Sequence, residues 1–323
     1  MKKLIKSVFC SLAVIAALPI CAKELNPLVI KETADTIVCR DFYGGSVTLH
    51  KNPEKVIIGY TSLVGAWYCA GGKAVAIPNT LEMNVSNLPK AARTLPRVGN
   101  FLNLNMEKIV SMKPDLVILS AFRCGQGTID ILKSSGIEYI VVQYTNYQEF
   151  YNVLDLFCHI NDGSARTNAA AVKISSEVNK LCQKAAKQKS PRFISIFYTG
   201  RGLSCESSLA NTAQIAKMLN GYNLIDEAAD SIRGTRIPFS LEKIVMDNPD
   251  VILFTTMCDS EAARKELKKQ VFSNPAWQEI SAVRHNRVYF LPNRLFLYKA
   301  NEHYPEAFRY MAKILYPWEN WNK

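Results

Sequence analysis

An α/β protein of two similar doubly wound lobes joined by one long α-helix is the fold this sequence predicts. Three observations carry the prediction. Strand and helix signals alternate along most of the chain, the alternation lapses once near the middle, and a helix–turn–strand unit recurs in register on either side of the lapse. A length of 323 residues with 48% hydrophobic content can supply two medium-sized cores. Charged residues at 21% exclude a disordered chain, and a mean hydropathy near zero with a single long apolar run excludes a polytopic membrane protein.

That apolar run opens the chain. Lys2, Lys3 and Lys6 form a positive flank, and Val8 to Leu18 is too short to span a bilayer comfortably. Residues 1–22 therefore read as a secretory signal, with cleavage after Ala22 and an exported, periplasmic or cell-envelope product. The alternative is a lipid anchor at Cys21, although Leu18-Pro19-Ile20-Cys21 places a bulky residue where a small one is expected. Loss of the three signal lysines takes the net charge from +11 to +8. A basic exported chain without aromatic-basic motifs points away from nucleic acid and toward an anionic ligand or envelope surface. Seven cysteines would remain, scattered and without C-x-x-C, which is neither a disulfide framework nor a zinc module. They read as small buried hydrophobes.

The first lobe is expected over 23–161. Val56 to Tyr60 is a strand after Asn52-Pro53, Thr61 to Ala70 a helix stopped by Gly71-Gly72, and Ala74 to Ile77 a strand before Pro78. Met106 to Met112 is a helix broken by Pro114, and Leu116 to Leu119 is a strand. Thr128 to Ser135 is a helix and Tyr139 to Gln143 a strand. Over 162–189 the alternation gives way to Ala171, Ile174, Val178, Leu181, Cys182 and Ala185 at helical spacing. That run predicts a linking helix about 37 Å long at 1.5 Å per residue. The second lobe, 190–323, resumes with strands at Phe193 to Phe197, Val251 to Phe254 and Val288 to Leu291. Its helices fall at Thr212 to Leu219, Leu241 to Met246 and the closing Pro305 to Leu315.

The repeat decides the architecture. Glu107-Lys108-Ile109-Val110 before Pro114-Asp115 matches Glu242-Lys243-Ile244-Val245 before Pro249-Asp250, every position offset by 135. Tyr60-Thr61 and Tyr198-Thr199 echo each other at an offset of 138.

These units, with Asn52-Pro53-Glu54-Lys55, Val98-Gly99, Phe239-Ser240-Leu241, Asn274-Pro275-Ala276-Trp277, Ala282-Val283 and Arg287-Val288-Tyr289, suggest a family. Together they resemble the substrate-binding proteins of ABC importers for iron–siderophore complexes, haem and cobalamin, over nearly all of the mature chain. The resemblance implies a ligand held between two lobes, a stiff helix limiting hinge motion, and one glutamate per lobe docking on permease arginines. Glu107 and Glu242 match those positions. A carboxylate in a helix's first turn is also favoured by the macrodipole alone.

Loops after strand C-termini should face the cleft. They hold Tyr60, Phe101, Phe122, Arg123, Tyr144 and Tyr147 in the first lobe, and Tyr198, Arg201, Arg236, Met257 and Arg294 in the second. Aromatics supply flat contact area and arginines forked donors for carboxylate, catecholate or phosphate oxygens. Cys124, Cys205 and Cys258 fall on the same predicted loops. Only His50, His159, His285 and His303 exist, none at tight ligand spacing, which argues against a bare zinc or manganese site. No G-x-S-x-G, P-loop or G-x-G-x-x-G follows a strand. The enzyme alternative is a tetrapyrrole metal chelatase using His303 beside Glu306. The expectation is a non-enzymatic protein without a resident cofactor. It carries a metal chelate, foremost a ferric siderophore and alternatively haem or cobalamin, to an ABC permease.

Overall fold

The computed structural model describes residues 27–322 apart from 80–87, 101, 123, 231–233, 258–259, 268 and 270–271. The expected signal segment with Cys21, the expected ligand residues Phe101 and Arg123, and Cys258 lie outside the described residues.

The described chain opens on an antiparallel meander that the sequence patterns had not disclosed: β1 (Val29–Glu32), β2 (Thr36–Arg40) and β3 (Ser46–His50). Only Ile37, Cys39 and Leu49 turn inward, so this sheet is half-buried and alternates as such sheets do. Then come β4 (Val56–Ile58), α1 (Thr61–Cys69), the two-residue strands β5 (Gly99–Asn100) and β6 (Asn103–Leu104), and α2 (Met106–Ser111). The lobe continues with β7 (Leu116–Ser120), α3 (Gln126–Ser134), β8 (Glu138–Val142) and α4 (Tyr147–Ile160). Strands β4, β7 and β8 form a parallel sheet in that order. Helices cover both its faces, which is why Val56-Ile57-Ile58 and Leu116 to Leu119 are unbroken apolar runs. The expected strand at Ala74 to Ile77 contributes only single bridges, Ala76 to Ile57 and Ile77 to Arg97.

The linking helix is shorter than expected. Helix α5 is Ala169–Ala185, 17 residues or about 25 Å, rather than a strut over 162–189. Asp162 takes a left-handed φ of 62°, ending the run of α4, and the Asn168 side chain caps α5 by accepting from Ala171 N–H at 3.0 Å. The apolar stripe from Ala171 to Ala185 is buried as its spacing predicts.

In the second lobe β9 (Arg192–Tyr198), β10 (Leu203–Glu206), α6 (Asn211–Met218), β11 (Tyr222–Asn223), α7 (Asp226–Asp230) and β12 (Arg236–Pro238) come first. After them run α8 (Leu241–Asp247), β13 (Val251–Thr256), α9 (Ser260–Leu267), α10 (Pro275–Gln278), α11 (Ser281–Arg284), β14 (Val288–Phe290), α12 (Asn293–Phe296) and α13 (Tyr304–Leu315). The sheet order is β12–β10–β9–β13–β14, with β11 added on β9. Its centre is parallel and doubly wound, whereas β10 and β12 are antiparallel, so this lobe is mixed.

The repeated Pro-Asp has a structural purpose in each lobe. Asp115 Oδ2 accepts the N–H groups of Glu54 and Lys55 at 2.9 and 2.8 Å, and Asp250 Oδ2 accepts that of Arg192 at 2.8 Å. Each aspartate thus clasps the chain entering its lobe's first parallel strand beside the second one. The helices before them are capped alike, by Asn105 on Lys108 N–H and Ser240 on Lys243 N–H.

One apolar core runs through both lobes. It joins Trp67, Phe150 and Phe157 to Phe193, Val251 and Leu253 by way of α5 and α13. Tyr147 and Phe150 of α4 meet Tyr304 and Phe308 of α13 at ring-centroid distances of 5.0, 4.8 and 5.2 Å. A polar knot lies beside them. The Tyr144 hydroxyl shares its proton between the Ser62 carbonyl at 2.7 Å and Asn301 Oδ1 at 2.6 Å, and Asn301 Nδ2 donates to the same carbonyl at 3.1 Å. Gly65 lets this junction close. Lys299 completes it, donating to the Thr145 carbonyl at 3.2 Å with its ammonium 5.3 Å from the Tyr144 ring.

A Cβ on Gly65 would come 2.5 Å from Asn301 Nδ2 and 2.9 Å from Glu302 Oε2. Gly65→Ala should therefore cost about 1–3 kcal/mol and Tyr144→Phe about 1 kcal/mol in urea unfolding. Unmoved midpoints would contradict the junction as drawn. Burial lowers the Lys299 pKa from 10.5 to about 8, against the pull of Glu149 and with help from Arg236. The folded protein then binds fewer protons than the unfolded chain between about pH 8 and 10.5, so the cost of the buried charge is full below 8 and fades toward 10.5. Lys299→Met should be the more stable protein at pH 7 by about 1–3 kcal/mol, a margin that shrinks by pH 10. A margin independent of pH would refute the burial.

Candidate functional site

The C-terminal strand ends of both lobes converge on one region. Thr145 and Asn146, following β8, meet the segments following β14 and β10: Thr145 accepts from Lys299, and Asn146 Nδ2 donates to the Leu209 carbonyl at 3.3 Å. These two bonds hold the C-terminal end of β8 against the second lobe, at the edge of the sheet where α/β proteins bind ligands.

On the first lobe a cavity of about 250 Å³ opens at this edge. Gly59 and Tyr60 after β4, Leu104 and Met106 around β6, Leu119 and Ser120 at the end of β7, Cys124 just before α3 and Ile131 within it line the cavity. Gly59 is required there, because a Cβ would stand 2.8 Å from Leu119 Cδ2 and 3.0 Å from Leu104 Cδ1. The Tyr60 ring lies 6.1 Å from that of Phe122, which is 54% exposed. A cavity this small can seat part of a large ligand, since whole-ligand pockets run to roughly 300–1,000 Å³.

On the second lobe Arg236 is held in a fixed pose. Its guanidinium lies 3.7 Å from the Phe197 ring centroid, and Nη2 donates to Glu206 Oε1 at 3.3 Å. Glu206 is buried and also accepts from Ser195 Oγ at 2.8 Å. Burial raises its carboxyl pKa, opposed by the Arg236 charge and by the hydrogen bonds from Ser195 and Arg236. The other Arg236 N–H groups have no protein partner among the described residues, and 45% of its side chain is exposed. Lys299 feels the charge of Arg236, so the second lobe carries two positive charges near each other beside the lobe junction. That arrangement suits an anion.

The remaining expected residues divide. Arg201 is exposed on the Gly200–Gly202 turn at the end of β9, and Met257 is exposed beyond β13, its N–H held by the Tyr198 carbonyl at 2.9 Å. Tyr198 itself is 3% exposed, packed with Ile196 and Phe254 in the far-face core. Tyr144 is corrected: at 2% exposure it belongs to the lobe junction, its hydroxyl already shared with Ser62 and Asn301. Tyr147 is likewise buried, in the aromatic contact with α13. Arg294 forms a two-pronged ion pair with Glu306, one arm at 3.0 Å, and so is not free-standing. That pairing lowers the Glu306 pKa, and His303 Nδ1 at 3.7 Å makes no hydrogen bond to it, so the His303–Glu306 pair lacks an acid–base geometry. Cys205 is a buried β10 residue whose thiol burial pushes up to about 12, while Cys124 does reach the cavity. The six cysteines among the described residues are free thiols.

Sequence patterns missed Lys299. It lies nine residues past β14, beyond α12, and the helical detour hid it from a rule that looks just after strands. Glu107 and Glu242 are both exposed in the first turns of α2 and α8, at equivalent places in the two lobes. No helix among the described residues is long and apolar enough to cross a membrane.

Known proteins resemble this chain in sequence and in fold. The chain is 25% identical over 279 residues to YvrC of Bacillus subtilis, an uncharacterized ABC transporter substrate-binding lipoprotein, covering 84% of this chain and 82% of the relative. It is 27% identical over 207 residues to the vitamin B12-binding protein of Yersinia pseudotuberculosis, covering 62% of this chain and 69% of the relative. The crystal structure of S. aureus IsdE complexed with heme superposes with a TM-score of 0.65 at 19% identity, over 81% of this chain and 98% of that one. Residues 56–295, both sheets from β4 to α12, match the sequence signature of periplasmic binding proteins. The chain belongs to the periplasmic binding protein family.

Proposed function

We propose that this protein is an exported, non-enzymatic carrier that captures one metal chelate between its lobes and delivers it to an ABC importer. The observation that carries the reading is a cavity at the strand ends of the first lobe, with the Tyr60 ring in its lining and Phe122 beside it, and the cations Arg236 and Lys299 on the second lobe. The paired Tyr60 and Phe122 rings favour a flat or catechol-bearing group, and the two cations favour carboxylate, catecholate or phosphate oxygens. A ferric siderophore satisfies both, with the iron carried as cargo inside the ligand. Tyr60, Phe122, Arg201, Arg236 and Met257 are the contacts the geometry supports best, and Phe101 and Arg123 remain contacts expected from sequence. Haem or cobalamin is the second reading, favoured by the vitamin B12-binding relative and the heme-bound structural neighbour.

Titration of the mature protein with ferric siderophores, haemin and cobalamin should reveal one ligand bound below micromolar, about −8 kcal/mol or better. Failure to bind any of the three would reject the proposal.

Glu107 and Glu242 serve, in this reading, as one permease contact per lobe. A rim carboxylate facing an arginine steers association and fixes orientation, and its reversal replaces attraction with repulsion. Glu107→Lys with Glu242→Lys should abolish uptake while leaving ligand affinity unchanged. The competing role, stabilising a helix start, is worth only about 0.3–1 kcal/mol per site. Normal uptake by the folded double variant would leave the two glutamates with that role alone.

A further inference from the structure

The β2–β3 hairpin ends in Asp41-Phe42-Tyr43-Gly44-Gly45, a tip closed by Asp41 Oδ1 accepting Gly45 N–H at 2.9 Å and by Gly44 at φ 83°. It precedes residues 56–295, so the family match assigns it nothing. Two bonds fix where it points. Phe42 N–H donates to the Val141 carbonyl at 2.8 Å, near the C-terminal end of β8, the outer strand of the parallel sheet. The Tyr43 hydroxyl donates to the Cys124 carbonyl at 3.1 Å, on the loop that lines the cavity. The tip is therefore fastened to the ligand-facing end of the first lobe.

Its side chains are the wrong kind for a solvent turn. Phe42 and Tyr43 are 54% and 55% exposed, their rings edge-on with centroids 5.5 Å apart. Leu102 and Ile131 of the cavity lining are also exposed, as is Phe122 beside Tyr60. Large apolar side chains left open together mark a binding surface rather than ordinary surface scatter.

We propose that Phe42 and Tyr43 form the outer aromatic wall of the first-lobe cavity and pack against a flat, conjugated face of the bound chelate. The assignment rests on the carrier reading above. A cavity of about 250 Å³ leaves much of such a ligand outside, and the tip is bonded to Cys124, one of the residues that line the cavity. Two edge-on rings offer one face and one edge to a planar partner, the geometry aromatic contacts favour.

Calorimetric titration of haemin, cyanocobalamin and a ferric tris-catecholate into the parent, Phe42→Ala/Tyr43→Ala, Tyr43→Phe and Trp318→Ala proteins tests it. For whichever compound the parent binds, the double variant should lose about tenfold in affinity at unchanged melting temperature. Tyr43→Phe, which keeps the ring, and Trp318→Ala, distant from the site, should stay within about threefold. Amide exchange over residues 41–45 should slow when the ligand is added. An unchanged affinity in the double variant overturns the wall but leaves the carrier reading intact. Unchanged affinity with lost uptake gives the tip to the permease and likewise overturns it. A parent that binds none of the three compounds overturns both.

Discussion

The packing of α13 across the lobe boundary is the constraint on which the rest of this structure depends. Tyr304 and Phe308 reach into the first lobe between Tyr147 and Phe150, while the Tyr304 hydroxyl donates to Asn211 Oδ1 of the second lobe at 3.1 Å. One helix thus belongs to both cores. The knot of Ser62, Tyr144 and Asn301 lies directly behind it, and Asn301 takes a left-handed φ of 50° to reach its partners. Not every group there is satisfied. Glu302 Oε2 is buried without a hydrogen-bond partner, and burial raises its carboxyl pKa.

This arrangement sets what the molecule can do with a ligand. Hinge closure needs a few residues that absorb large φ/ψ changes, and the crossing segment here is instead a helix packed along α13. A packed helix of this kind resists hinge bending more than a flexible crossover would. The site must then be largely formed in advance, with the cations held by fixed partners: Arg236 by Phe197 and Glu206, Lys299 by Thr145. Specificity in such a site comes from the shape and charge of the rigid floor rather than from lobe closure.

The alternation of buried runs with helical spacing made the two parallel sheets legible, because strands covered on both faces are written as unbroken Val, Ile and Leu. The repeat was legible for a different reason: Asp115 and Asp250 clasp the same place in each lobe, so the same residues recur. The β1–β3 meander escaped notice because it buries only every second residue of short strands. Helix α4 is hidden because its start, Tyr147, follows a strand as a cleft loop would, and the linker looks longer than it is because Asp162 and Asn168 are polar residues that a helical stripe tolerates. Strand-end position picked out Tyr60, Phe122, Arg201 and Met257, which the structure leaves open to the cavity or to solvent. It could not separate these from Tyr144 and Tyr198, since a residue just past a strand can turn inward as easily as outward. That choice is made by distant partners such as Asn301, which no local pattern announces.

The shared ownership of α13 also governs the order in which the protein can be assembled. A chain lengthening from its N-terminus completes β4, β7 and β8 early, yet the aromatic layer against α4 stays open until Tyr304 and Phe308 arrive some 150 residues later. Contacts that span so much sequence form slowly, because the loop must be closed before any burial compensates it. The first lobe therefore waits, partly assembled, until the final helix exists, and a chain interrupted before residue 304 leaves its aromatic layer uncovered.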